Sequence, residues 1–169
     1  GPARTTYHPY DFMIDGRGFF PVQRPNGEIA YTRAGAFHVD SQGRVMLQNG
    51  SLLIPQITVP ATAHNIVVSP SGEIRAAMPG ADEPVIGQLQ LVTFQNDQGL
   101  LAMGEGLYKP SLASGQPLQG IPGENGLGNV MQGALEGSNV NVANSMVDMI
   151  STQRAYEMNT KVMSVADQM

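Results

Sequence analysis

The sequence predicts a mainly β protein: a short-stranded antiparallel β domain followed by one long C-terminal α-helix. Two observations carry this expectation. Over residues 11–137, short apolar and β-branched runs alternate with turn residues at intervals of about 8–12 positions, the pattern of an all-β domain. Residues 138–169 contain neither Gly nor Pro, although the chain holds 20 Gly and 12 Pro. Their apolar side chains, Val142, Met146, Met149, Ile150, Tyr156, Met163 and Ala166, recur near steps of three and four, the helical period.

Residues 1–10 read as a tag remnant and linker, beginning Gly1-Pro2, that ends in a first extended segment. The core domain is expected over 11–137. Phe12 and Ile14, then Phe19, Phe20 and Val22, form apolar runs separated by Asp15-Gly16-Arg17-Gly18, where two glycines suggest a turn or bulge. Pro25-Asn26-Gly27-Glu28 is a strong hairpin signal, because Asn and Gly tolerate positive φ. It should pair Phe19–Arg24 with Ile29–Arg33.

Further strands are expected at Ala36–Asp40, Arg44–Leu47 and Leu52–Ile54, joined by turns at Gly43 and Gly50. Residues 55–64, with Pro55 and Pro60, read as an edge or loop. Asn65–Ser69 and Ile74–Met78 flank a turn at Gly72. Val85–Gln95 is the longest strand candidate, and a turn at Gly99 leads into Leu100–Met103. Leu107–Lys109 follows. Residues 110–128, rich in Gly, Pro and Ser, read as an ordered surface loop used in packing. Asn129–Leu135 is the last strand. Asn141 is a candidate N-cap for a helix from about Val142 to about Asp167, roughly 40 Å long at 1.5 Å per residue.

Composition narrows the function. The chain is 41% hydrophobic, enough for a core, and only 14% charged with net charge −5. That acidic balance argues against nucleic acid or an anionic membrane surface as partner. There is no Cys, hence no disulfide or thiolate site. No apolar run is long enough to span a bilayer, and no signal-peptide pattern opens the chain.

No catalytic, cofactor-binding or metal-binding constellation emerges. His8, His38 and His64 have no paired spacing. Gly16-Arg17-Gly18 and Gly104-Glu105-Gly106 lack the third glycine and following helix of a phosphate loop, so turn glycines account for them. Asp11 and Asp15 can share a strand face, but two acids alone specify no reaction. The uncovered apolar stripe of residues 138–169 is the informative feature. Exposed, it is costly for a soluble monomer, and its methionines suit a surface that packs against neighbours. Val142, Met146, Met149, Ile150, Tyr156 and Met163 are the expected assembly contacts. Arg154 and Glu157 would lie at the rim and set register.

Several stretches resemble the flagellar axial proteins, the bacterial rod and hook subunits. The C-terminal run Ser138-Asn139-Val140-Asn141-Val142, with Met146–Ile150 and Gln153-Arg154-Ala155-Tyr156-Glu157-Met158-Asn159, is similar to the family's C-terminal signature. Asp15-Gly16-Arg17-Gly18-Phe19-Phe20 and Tyr31-Thr32-Arg33-Ala34-Gly35-Ala36-Phe37 resemble its Gly-Phe-Phe and Tyr-Thr-Arg-x-Gly-x-Phe elements. Gln153–Glu157 is most similar to distal rod members, whereas Leu135–Asn139 also looks like proximal rod members.

The resemblance implies a structural subunit of the distal rod, polymerising helically as part of the drive shaft between basal body and hook. It implies export by the flagellar type III system without a cleaved signal peptide, and a periplasm-spanning position in the basal body. Implied partners are further copies of the chain, proximal rod proteins, the hook protein, and the P- and L-ring proteins around the rod. Family members carry a long N-terminal helix ahead of the β domain. The resemblance implies that such a helix is missing here and would pair with the C-terminal one. Residues alone leave two other readings open: a proximal rod or hook paralogue, and a secreted binding module whose helix folds back on its own sheet.

Overall fold

The computed structural model describes residues 2–137. These fall into two units by compactness. One is a β domain, Arg4–Leu135; the other comprises residues 1–3 and 136–169, of which only 2, 3, 136 and 137 are described. In that smaller unit the Gly137 amide donates to the Pro2 carbonyl at 2.6 Å.

The strands run β1 (Ala3–Thr5), β2 (Phe12–Asp15), β3 (Phe20–Gln23), β4 (Ile29–Thr32), β5 (Phe37–Val39), β6 (Val45–Leu47), β7 (Leu52–Leu53) and β8 (Asn65–Val68). They continue with β9 (Glu73–Ala77), β10 (Val85–Gln88), β11 (Leu91–Thr93), β12 (Leu101–Gly104), β13 (Leu107–Lys109), β14 (Leu118–Gly120), β15 (Asn129–Gln132) and β16 (Ala134–Glu136). The largest sheet has the order β12-β13-β4-β3-β7-β6-β5. Smaller sheets are β10-β9-β8, β11-β14, β15-β2 and β1-β16.

The expected architecture of a β domain plus one long α-helix is corrected. The described residues contain strands and two single-turn 3₁₀ segments, Pro79–Ala81 and Asp97–Gly99, and no α-helix, so the observed class is mainly β. The helix expected from about Val142 to Asp167 lies outside the described residues. Its physical basis was incomplete: a helical period supplies an apolar face, but most helical stability in proteins comes from packing that face against a partner.

The β3–β4 hairpin forms as expected, with Phe20 opposite Thr32 and Gln23 opposite Ile29. Its turn differs in detail. The Gly27 amide bonds the Arg24 carbonyl at 2.8 Å and the Arg24 amide bonds the Glu28 carbonyl at 2.7 Å. Only Gly27 takes a positive φ, +91°; the Asn26 side chain instead accepts from the Glu28 amide. This is a three-residue loop ending in a glycine bulge. The same paired bonds recur at Asp40–Arg44, Leu47–Ser51 and Ser69–Glu73, with Gly43, Gly50 and Gly72 in the positive-φ position. Gly99 is different: its φ is not positive, and β11 pairs with β14 rather than β12, so no hairpin turns there. A Cβ at Gly99 would collide with the Ser114 backbone.

Two expected strands are broken. Val85–Gln95 divides into β10 and β11, which belong to different sheets. A bulge falls between Val85 and Gly87, a Cβ at Gly87 would run into Ile57, and the Leu89 amide bonds the Gly72 carbonyl at 2.7 Å. Asn129–Leu135 divides at Gly133 (φ +79°), whose carbonyl receives the Thr6 and Tyr7 amides. The 110–128 loop is ordered, contains β14, and buries Ser114 completely.

The β3–β4 hairpin is buried on both faces, which explains the unbroken apolar run Phe19–Val22. Phe20, Val22 and Ala30 join the main core with Phe12, Ile14, Phe37, Leu53, Ile74, Leu89 and Leu107. Phe19 and Tyr31 join a second cluster with Val92 and Phe94. Phe20 and Phe37 meet edge-on at 5.5 Å, and Tyr31 and Phe94 at 5.0 Å. Full burial of each such ring stabilises the fold by about 1.5–3 kcal/mol.

Candidate functional site

The residues that carry the two N-terminal motifs interlock. Strand β4 ends at Thr32, so Arg33 leaves the sheet beside the loop that follows β2. Its guanidinium donates to two carbonyls of that loop, Gly16 at 2.6 Å and Gly18 at 2.9 Å, and to the Ile14 carbonyl within β2 at 3.2 Å. Gly16 (φ +126°) and Gly18 (φ +132°) hold conformations that only Gly adopts readily. Gly16 also lies against Gly128, and a Cβ there would sit 2.7 Å from the Gly128 Cα. Arg17 donates to the Phe94 carbonyl at 3.1 Å.

Thr32 is fully buried; its hydroxyl donates to the Gly106 carbonyl at 2.8 Å and accepts the Ala34 amide at 3.0 Å. The Gly35 carbonyl receives the Phe12 amide at 2.9 Å, and a Cβ on Gly35 would collide with the Phe12 carbonyl oxygen. The Gly16-Arg17-Gly18 run is therefore a backbone brace, its glycine carbonyls held by Arg33.

Elsewhere the polar side chains also serve the framework. Gln132 on β15 donates to the Pro9 and Ile66 carbonyls, both at 2.9 Å, and accepts the Val68 amide at 3.0 Å. Asp40 accepts from the Arg44 and Gln42 amides, both 2.9 Å, and from the Arg44 side chain at 2.8 Å. The Arg44 backbone bond is the largest influence holding the Asp40 carboxyl below the usual carboxylate range. Burial raises the Tyr10 and Tyr31 phenols above their ordinary value.

Asp11 is buried with its carboxylate 3.7 Å from His8, whereas Asp15 is exposed. Among the described residues no group of three His, Asp or Glu side chains is placed to hold a metal ion. A hollow of about 320 Å³ lies between the Arg24–Asn26 turn, Asn49, Ser51 and Glu105.

The eight residues expected to carry assembly, Val142, Met146, Met149, Ile150, Arg154, Tyr156, Glu157 and Met163, all lie outside the described residues. Sequence reasoning missed a second feature: apolar side chains exposed on sheet edges. Val67 on β8, Val85 on β10 and Leu101 on β12 are each about half exposed, and all three strands are outermost in their sheets. The signal was present in Ile66-Val67-Val68, where strand alternation must turn one of three consecutive apolar residues outward.

Two family models match the chain. The flagellar hook protein FlgE/F/G D1 domain covers residues 13–76, and the flagellar basal body rod FlgEFG protein C-terminal model covers residues 131–169. The first match holds the whole Arg33 brace. The chain is 48% identical over 160 residues to the flagellar basal-body rod protein FlgG of Buchnera aphidicola subsp. Acyrthosiphon pisum, covering 94% of this chain and 62% of that relative. It is 42% identical over 170 residues to FlgG of Caulobacter vibrioides and 38% over 172 residues to FlgG of Borreliella burgdorferi, in both cases covering 100% of this chain and 65% of the relative. The chain thus spans under two thirds of the length of these curated relatives. Matched at both ends of its sequence by these models, and by FlgG relatives nearly throughout, the chain belongs to the FlgE/F/G family of flagellar rod and hook proteins.

Proposed function

We propose that the chain is part of a structural subunit of the bacterial flagellar distal rod, which self-assembles into the helical, tubular drive shaft joining basal body and hook. The observation that carries this is the 48% identity to a basal-body rod protein across 94% of the chain. A relative called FlgF, from Buchnera aphidicola subsp. Schizaphis graminum, is similar at only 32%, which favours the FlgG-like role over that paralogue. The role is structural. The polar side chains described above are engaged in bracing backbone, which suits a subunit that transmits torque.

In this reading, residues 11–137 are the core domain and 138–169 the assembly segment. Val142, Met146, Met149, Ile150, Tyr156 and Met163 make contacts between subunits, while Arg154 and Glu157 set register. Repeated head-to-tail contacts that do not close on themselves generate a filament. Its partners are further copies of the same chain, proximal rod proteins and the hook protein, with P- and L-ring proteins around it. It works in the basal body across the periplasm after type III export, and binds no nucleic acid.

A protein extended to the full length of the FlgG relatives should form rod-like polymers visible by electron microscopy. Full-length subunits that remain monomeric under all assembly conditions would overturn the reading. In a rod-defective strain, the full-length protein should restore motility and Met149→Asp should not. Unimpaired motility in the variant would remove Met149 from the assembly surface.

A further inference from the structure

We propose that Asn125 is a spontaneous modification site: in the folded protein it deamidates selectively among the three Asn-Gly pairs. Those pairs are Asn26-Gly27, Asn49-Gly50 and Asn125-Gly126. All three share the dipeptide in which this reaction is easiest, because glycine has no side chain to shield its backbone nitrogen. The fold separates them.

The chemistry needs a free glycine N–H and a free carboxamide. The glycine nitrogen attacks the Asn Cγ, forming an N–Cγ bond. The Cγ–Nδ2 bond breaks, and ammonia leaves with the proton given up by the glycine amide. The resulting five-membered imide is opened by water at either carbonyl, giving aspartate or its isomer linked through the side chain. Water is the only co-reactant, and no oxidation state changes.

At two sites the turn blocks both groups. Gly27 and Gly50 occupy the last position of their turns, with their amides bonded to Arg24 at 2.8 Å and Leu47 at 2.9 Å. The Asn26 carboxamide oxygen accepts from Glu28 at 2.9 Å and that of Asn49 from Ser51 at 3.0 Å. Each carboxamide is thus held toward the residue beyond the glycine.

Asn125-Gly126 sits differently. Asn125 (φ +52°) and Gly126 (φ +81°) are the two central residues of a tight turn closed by the Leu127 amide on the Glu124 carbonyl at 2.9 Å. Two successive positive φ values define the mirror-image turn in which the second central amide points away from the cross-turn bond. Neither the Gly126 amide nor the Asn125 carboxamide has a hydrogen-bond partner among the described residues, and both residues are exposed.

The turn is also coupled to the core. Gly123 and Gly128 pair across it at 3.0 Å, Leu127 is buried, and Gly128 lies against Gly16. Reaction adds a negative charge beside Glu124. The isomerised product also inserts a methylene into the main chain of a two-residue loop that has no slack.

The test is to incubate the folded protein at mildly alkaline pH and quantify conversion at each site by peptide mass spectrometry, with a urea-denatured sample in parallel. In the folded protein Asn125 should convert at least about tenfold faster than Asn26 and Asn49, the rate factor of about 1.4 kcal/mol. Denaturation should abolish most of that preference. Asn125→Gln should remove the fast site and leave the two slow ones unchanged. Equal rates in the folded protein, faster conversion at Asn26 or Asn49, or a preference that survives denaturation intact would each overturn the proposal.

Discussion

The Arg33 guanidinium donates to the Gly18 carbonyl at 2.9 Å, fixing the end of strand β4 to the loop that leads into β3. With the bonds to Gly16 and Ile14 it holds three main-chain carbonyls, two in the glycine-rich loop and one in β2. Hydrogen bonds to a charged group are worth more than neutral ones, and orphaned acceptors carry a desolvation cost. Arg33→Ala should therefore destabilise the protein by about 2–3 kcal/mol in urea unfolding. Arg33→Lys should recover less than half of that loss, because an ammonium cannot reproduce the planar fork. Full recovery by Lys would mean that charge alone matters.

Gly35 and Gly27 should respond differently to Ala. At Gly35 the new methyl would collide with the Phe12 carbonyl, which cannot move without breaking the Phe12–Gly35 bond. At Gly27 there is open space, so the cost is only the positive φ of +91°. Gly27→Ala should cost about 1–2 kcal/mol. Gly35→Ala should cost about 3 kcal/mol or more, in the range of severe steric lesions, with loss of soluble yield. Comparable thermal midpoints for the two variants would contradict the packing seen at Gly35.

These positions show how far sequence reasoning reached. The β3–β4 hairpin was legible because its signals are local: a glycine at the bulge position and β formers on both sides. The Asn-Gly turn with two positive φ values was expected at Asn26-Gly27 and occurs instead at Asn125-Gly126. The dipeptide permits that conformation, but loop length and flanking pairing select it. The break within Val85–Gln95 was not legible, because it depends on Ile57 approaching Gly87 and on Gly72 receiving the Leu89 amide. The motifs at Asp15–Phe20 and Tyr31–Phe37 pointed to the correct family, yet their physical role as a brace became visible only in three dimensions. The expected assembly residues of 138–169 rested on period and on the family resemblance, without a covering surface to fix their geometry.

Gln132 offers a different test, since it uses two donors and one acceptor against three backbone groups. Gln132→Glu replaces the donating amide with an oxygen facing the Pro9 and Ile66 carbonyls. The ionised form should be destabilised by about 1–3 kcal/mol. With carbonyls as neighbours the new carboxyl should have a raised folded-state pKa. The deficit should therefore be small below the unfolded-state value of about 4.3 and grow as pH rises through the folded-state value. Circular dichroism melts of variant and parent across that range would show the difference. A pH-independent deficit would argue that Gln132 acts through packing.

Asp40 should show the opposite sign. Its carboxylate is favoured in the folded state chiefly by the Arg44 amide, with the Arg44 side chain and Gln42 amide adding to it. A group with a lowered folded-state pKa contributes stability above its unfolded value, here near 3.8, and loses it as pH falls through the folded value. Asp40→Asn removes the charge while keeping an acceptor for the turn. The variant should be less stable than the parent at neutral pH, and the two should converge as acid protonates the parent carboxyl. Chemical-shift titration of Asp40 should place its midpoint below 3.8, and a midpoint at or above that value would remove the basis for the convergence.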